Sequence, residues 1–289
     1  MLYRRFPESS NTEISILCSD IHDPQVCTLL PVLASQGINL FRLTRGTARN
    51  TDSSEKRQSC LSELKQAFST IPEGSSGKNL LWDISTPLRT ADEIEQAAVD
   101  ARSDLQKLGW QGAVLFLFHI DDTETLQLTR SPQMQGLTRM SGFEHIAAGF
   151  CTHGATAAGL FRSMLERTGM WSFFGWTGNY ANTGDTNLII EAGRAGLGGI
   201  AIDPFSGGIL EYPLPAVRSV FSASPIPRIA SEWALRYLWE FQDIISVCVQ
   251  PLHELKLAEY AAFAAGGRPN SLTRSELALL EKAGSHYLT

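Results

Sequence analysis

Three absences narrow the reading before any motif is found. No apolar run approaches the ~20 residues that span a bilayer, and the opening MLYRRFPESS lacks the apolar core of a secretory leader. A cytoplasmic protein with no membrane partner is therefore expected. Excess positive charge is also absent: 24 Lys and Arg stand against 30 Asp and Glu, for a net charge of −6 and a pI near 5.6. A surface that follows nucleic-acid phosphates needs a basic face, so nucleic acid is not an expected partner. The five cysteines, Cys18, Cys27, Cys60, Cys151 and Cys248, are odd in number and lack CxxC or other metal-type spacing. Reduced thiols filling core space are expected, rather than a disulfide framework.

What is present points to an α/β barrel. The run AVLFLFHIDD at 113–122 is apolar without alternation and then turns abruptly polar. A strand covered on both faces reads this way, and in (β/α)8 barrels the chemistry lies where such strands end. Seven further short runs alternate with helical patterns, giving strands at 14–19, 39–44, 79–85, 113–120, 145–152, 171–179, 199–205 and 244–250. A chain of 289 residues with 43% hydrophobic content fits one such barrel as a single domain, 1–289. Between strands, 90–108 repeats Ile94, Ala97, Ala98, Ala101 and Leu105 at helical spacing behind Asp92 and Glu93. A helix is also read at 252–265, and a last one at 272–283 opens with Thr273 and Glu276 in capping-box spacing. Segments 46–54 and 121–143 read as loops, the second long enough for a lid over the barrel mouth or a mobile excursion.

A barrel presents the carboxyl ends of its strands at one mouth, so the residues there form a candidate site. They are Asp20 and His22, Arg42 and Arg45, Asp83, His119 and Asp121, Cys151 and His153, Asn179, Asp203, and Gln250. The turn Ser206-Gly207-Gly208 follows the seventh strand, where backbone N–H groups in barrels often meet phosphate.

With these segments in order, the chain resembles the aldo-keto reductases, in particular the branch that opens with MLYRRFG-like hairpins. MLYRRF matches that opening, and GINLF at 37–41 is similar to GINYFDTA. FLFH at 116–119 is similar to LLLH, GFCTHG at 149–154 to GFSTHG, and DPFSGGIL at 203–210 to PLAGGKL. SEWALRYL at 231–238 resembles the helix before the last strand. The resemblance implies a (β/α)8 TIM barrel whose N-terminal β-hairpin, 2–17, plugs the bottom.

It also implies hydride transfer from a nicotinamide to a carbonyl. A Tyr serves as acid, a Lys lowers its pKa, an Asp holds the Lys and a His orients the substrate. Carried over residue by residue, the Asp position falls on Arg42, the Tyr on Arg45 and the Lys on Ile84 beside Asp83, while His119 stands. An arginine cannot donate a proton near neutral pH. The nicotinamide-amide anchors fall on Cys151, Thr152 and Gly175, and the adenosine-phosphate segment reads QPLHELKLAEY from Gln250, with Lys256 left to meet a phosphate and His253 expected to be solvated.

The reading that follows is an aldo-keto-reductase-like protein without the usual hydride transfer. It is either a cofactor-independent enzyme of cyclase, isomerase or lyase type or a noncatalytic scaffold. His119 would act as acid or base assisted by Asp83 or Asp121. Arg42 and Arg45 would hold an anionic small molecule, unless one of them pairs with Asp20, Asp83 or Asp203. Cys151, Asn179, Asp203, Ser206, Gly207 and Gly208 would line the substrate or anion site. No cofactor and no metal are favoured, NADP being the alternative. Two other readings are an NAD(P)H-dependent carbonyl reductase with an altered acid and a metal-dependent barrel hydrolase. The hydrolase is suggested by Asp20, His22, His119, His153 and Asp203 but lacks an HxH pair.

Overall fold

The computed structural model describes residues 1–7, 12–21, 24–45, 54–70, 78–84, 88–138, 146–154, 156–167, 169–251 and 253–287. An antiparallel hairpin of β1 (Tyr3–Arg5) and β2 (Glu13–Ser15) comes first. Eight parallel strands follow: β3 (Leu17–Asp20), β4 (Leu40–Arg45), β5 (Asn79–Ile84), β6 (Ala113–Ile120), β7 (Ile146–Thr152), β8 (Phe173–Trp176), β9 (Gly198–Ala201) and β10 (Ile244–Val249). They pair in chain order and close, β10 against β3, into the barrel expected from the sequence.

Side chains alternate across each strand, so every apolar run serves two cores at once. Phe41, Leu43, Trp82, Ile84, Phe116 and Phe118 face outward into the layer beneath the helices. Cys18, Leu40, Leu81, Leu115, Leu117, Cys151 and Cys248 fill the barrel interior. Two residues on from the inward Cys18, Leu40, Leu81 and Leu117 lie Asp20, Arg42, Asp83 and His119, so the period of two delivers all four to the same mouth.

The opposite end is closed by the hairpin. Phe6, 1% exposed, packs 6.0 Å from the ring of Phe173 beside Ile14, Ile200 and Ile245. Arg4 donates to the carbonyls of Trp239 (3.0 Å), Phe241 (2.9 Å) and Gly267 (3.3 Å), and also to that of Ile244. Trp239 ends the helix Ala230–Trp239, Phe241 and Ile244 lie where the chain turns into β10, and Gly267 follows the helix Glu254–Ala264.

The helix Ala91–Leu108 starts at Thr90, whose hydroxyl accepts from the Glu93 N–H, and stops at left-handed Gly109. The capping box at Thr273 and Glu276 forms as expected on the helix Arg274–Ser285. No helix among the described residues is long and apolar enough to cross a membrane. Cys18, Cys27, Cys151 and Cys248 are buried free thiols, as expected for core filling; the side chain of Cys60 lies outside the described residues.

Several expectations need correction. Segment 121–143 is not a structureless lid. Asp122 caps a helix, Thr123–Leu128, that packs on β6, and a second helix, Pro132–Thr138, packs on Ala91–Leu108. Residues 139–143 lie outside the described residues, as do 46–53 of the other expected loop. β8 and β9 are shorter than the expected 171–179 and 199–205. Asn179 leaves the ladder because its Oδ1 accepts from the N–H groups of Ala181 and Asn182, a local turn that competes with strand pairing. After β9, Asp203 and Ser206 adopt positive φ, which ends any strand. The helix expected at 252–265 spans Glu254–Ala264, with the exposed His253 as its N-cap.

Candidate active site at the barrel mouth

Five adjacent strands build one continuous polar chain at the mouth. β3 ends in Asp20 directly across the ladder from Arg42 of β4. The Arg42 Nη1 donates to Asp20 Oδ2 at 2.6 Å, its Nε donates to Asp83 Oδ2 at 2.8 Å, and its Nη2 donates to the same oxygen. The other oxygen of Asp83 lies 2.8 Å from His119 Nε2, and His119 Nδ1 lies 2.8 Å from His153 Nε2. The two imidazole rings stack with centroids 4.9 Å apart.

Charge fixes how this chain is protonated. Burial alone would raise the pKa of Asp83, which is 0% exposed. The hydrogen bond from His119 and the charge of Arg42 outweigh it, and the net shift is downward. Burial works against the charge on Arg42 too, yet Asp83 and Asp20 hold it firmly protonated. An ionised Asp83 can only accept, so His119 carries a proton on Nε2, and the neutral ring presents a bare Nδ1. His153 must then donate from Nε2, which leaves its own Nδ1 as an unprotonated base. Such a row of fixed tautomers is what a proton relay requires.

The cysteine beside this row is not a prepared nucleophile. Cys151 is 1% exposed, and burial, reinforced by the nearby Asp83, pushes its thiol pKa well up. A reactive cysteine needs the opposite shift.

The structure brings together Asp20, Arg42, Asp83, His119, Cys151 and His153. Ile84, where the resemblance puts the lysine, faces the helix layer, and Asp83 is the inward residue; the reading was displaced by one position on β5. All three guanidinium nitrogens of Arg42 donate to carboxylates inside the protein, so the alternative in which it pairs with Asp20 and Asp83 is the one realised. Arg45 ends β4, but its side chain lies outside the described residues, as does His22.

The turn expected as an anion cradle makes hydrogen bonds within the protein. The Gly207 N–H donates to the Asp203 carboxylate at 2.8 Å, and the Gly208 N–H to the Phe205 carbonyl at 3.1 Å. A side chain of this protein therefore occupies the acceptor role expected of a bound anion. Ser206 is held by Asn179, whose Nδ2 donates to its Oγ at 2.7 Å. Lys256 is bonded to Glu259 at 2.7 Å and paired with Glu211 at 3.2 Å. His153 entered the sequence reading in the strand-end set and among the residues suggesting a metal-dependent hydrolase, without an acid–base role. The signal that would have raised it is its spacing from Cys151, which puts both on one edge of the mouth.

No protein-family model and no curated protein matches the sequence. Solved structures do. The aldo-keto reductase AKR11C1 from Bacillus halodurans, in its holo form, superposes with a TM-score of 0.69 at 15% identity, over 98% of this chain and 96% of that one. Its apo form gives 0.62 at 17% identity, over 98% and 96%. The chain has the fold of an aldo-keto reductase, hairpin included.

Proposed function

We propose that the chain is an aldo-keto-reductase-like protein that carries out cofactor-independent acid–base chemistry on a small molecule, of isomerase, cyclase or lyase type. The observation that carries this reading is the Asp83–His119–His153 relay. In it, His153 Nδ1 takes a proton from a substrate C–H next to a carbonyl. The Nε2 proton of His153 passes to His119 Nδ1, and the resulting imidazolium is stabilised by ionised Asp83. Return of the proton to a neighbouring carbon gives isomerisation, and loss of a leaving group gives elimination. Positioned acid–base groups of this kind contribute about 10²–10⁴-fold in rate.

Three features support a reaction without a nicotinamide. Arg42 and Asp83 make an ion pair of the opposite sense to the family's Asp–Lys pair, and the position of the family's acid tyrosine falls on Arg45. At Gly175, a nicotinamide-anchor position, even a Cβ would lie 2.9 Å from the Cβ of Cys151, leaving no room for a side-chain amide. At the adenosine-phosphate segment, Lys256 is already neutralised by Glu211 and Glu259. These residues do not fit a dinucleotide phosphate. An anionic substrate would be held by Arg45, the second arginine of β4, whose side chain lies outside the described residues.

The test is a proton-exchange screen in D2O followed by NMR, using 2-oxo acids, hydroxy ketones and their phosphates. Exchange α to a carbonyl in the intact chain, lost in His153→Ala, is the expected result. NADPH-dependent carbonyl reduction, with thermal stabilisation by NADPH and no exchange, would overturn the reading in favour of the altered-acid reductase. A ligand at 100 times its dissociation constant stabilises by ~2.7 kcal/mol, which a melting curve resolves.

A further inference from the structure

Cys151 takes no part in the relay, yet the fold sets it against both imidazoles. β7 presents Cys151 and His153 two residues apart, and the register of β6 on β7 puts His119 directly across from Cys151. The donor atoms of His119, Cys151 and His153 consequently lie within 4.8 Å of one another. Around a tetrahedral zinc ion, Zn–N is ~2.0–2.1 Å and Zn–S ~2.3 Å, which sets the donors about 3.3–3.8 Å apart. The two imidazole nitrogens, now 2.8 Å apart, need only open slightly, and the thiol needs to close by about 1 Å.

We propose that His119 Nδ1, Cys151 Sγ and His153 Nε2 form a binding site for one zinc ion, with its fourth position open to the barrel mouth. Two imidazoles and a thiolate suit zinc or cobalt rather than magnesium or calcium. The surroundings are those of a metal centre. Asp83 accepts the Nε2 proton of His119, the carboxylate–histidine arrangement that orients a ligand and leaves Nδ1 for the ion. Asp121 adds a further negative charge that acts on both Cys151 and His153, and its buried Oδ1 has no hydrogen-bond partner among the described residues.

Binding is balanced without redox change. The Cys151 thiol loses its proton to solvent as the Zn–S bond forms. His153 moves its proton from Nε2 to Nδ1, and one proton is released overall. The shift also removes the free base at His153 Nδ1, so zinc and the proton relay exclude each other. That last consequence rests on the proposed acid–base function; the site itself does not.

The experiment is titration of the full-length reduced chain with Co²⁺ and then Zn²⁺. One equivalent of Co²⁺ should give visible bands of tetrahedral intensity and a near-ultraviolet thiolate charge-transfer band, both erased by Zn²⁺. Cys151→Ser should abolish the charge-transfer band, His153→Ala should weaken binding by about 100-fold or more, and Asp83→Asn by about 10–100-fold. Cys18→Ser and Cys248→Ser should change nothing. Cadmium-113 NMR on the unmodified chain reads the same donor set, one sulfur and two nitrogens, without relying on a variant that folds. Absence of stoichiometric binding, or a charge-transfer band that follows Cys18 or Cys248 instead, overturns the site. Zinc binding without proton exchange in the metal-free chain overturns the acid–base reading alone, and exchange without zinc binding overturns the site alone.

Discussion

Two arginines, one at each end of the barrel, are held in opposite ways. At the bottom, Arg4 donates to backbone carbonyls, and burial outweighs the nearby charge of Asp243, so its pKa falls to about 10. At the mouth, Arg42 meets two carboxylates, and its proton is held more tightly than usual in spite of burial. The bottom arginine ties the hairpin to carbonyls around the start of β10, and its work is finished when the chain has folded. The mouth arginine keeps Asp83 ionised, and through Asp83 it fixes the proton on His119. Buried ion pairs seldom add stability over apolar side chains of similar volume, so a charged row at one end needs a reason other than holding the barrel together.

The largest expected effects belong to the mouth. His153→Ala should lower proton exchange by about 10²–10⁴-fold while leaving the melting temperature nearly unchanged, since His153 is only partly buried. Arg42→Met should do both kinds of damage. It leaves Asp20 and Asp83 without their cation, at a cost of about 3–5 kcal/mol in denaturant melts, and it releases the tautomer of His119. The double variant Arg42→Met with Asp83→Leu should recover most of that stability and none of the exchange. Recovery of both would show that the charged row is not catalytic.

Next in size is the bottom. Arg4→Met removes several charge-assisted hydrogen bonds to carbonyls and should cost about 2–3 kcal/mol, with exchange and zinc binding at the mouth unaltered. Phe6→Ala probes the same end by packing instead of polarity, and loss of its buried ring should lower stability by about 3–5 kcal/mol. If either change altered the mouth chemistry, the two ends would be coupled, and their separate roles would need revision.

How much of this was legible in the sequence follows the same division. The apolar run into His119 marked β6 and its inward histidine correctly, because a strand buried on both faces leaves only its end for polar groups. The hairpin came through the MLYRRF opening, whose last residue, Phe6, the structure buries at the bottom of the barrel. Ile84 was taken for Asp83 because a one-residue displacement on a strand reverses the face, and the run LLWDI carries no alternation to fix the register. That Asp203 folds back onto the Gly207 N–H was not legible, because composition cannot show a contact made through a turn. The ends of β8 and β9 were overrun because Asn179 and Asp203 stop pairing through their own side chains, a local contest that apolar content does not register. His153 was named at its strand end but not joined to His119, since that contact comes from a neighbouring strand 34 residues away in sequence.

The smallest effect expected sharpens the contrast between a catalytic charge row and a structural one. Arg228 pairs with Glu276, which also closes the capping box of the helix Arg274–Ser285 by accepting from the N–H and hydroxyl of Thr273. Burial raises the pKa of Glu276, but the Thr273 and Arg228 contacts outweigh it and the net shift is downward. A carboxylate whose folded pKa is lowered stabilises fully above its unfolded value, and that contribution drains away as the pH falls through the folded one. Unfolding free energy should therefore decline between about pH 5 and pH 3 more steeply in the parent chain than in Glu276→Gln. Thr273→Ala, which removes the cap but not the ion pair, should cost about 1 kcal/mol at neutral pH. Neither change should touch proton exchange. Equal acid sensitivity in the parent and Glu276→Gln would place the acid-labile charge elsewhere, with the Asp20–Arg42–Asp83 row the next group to test.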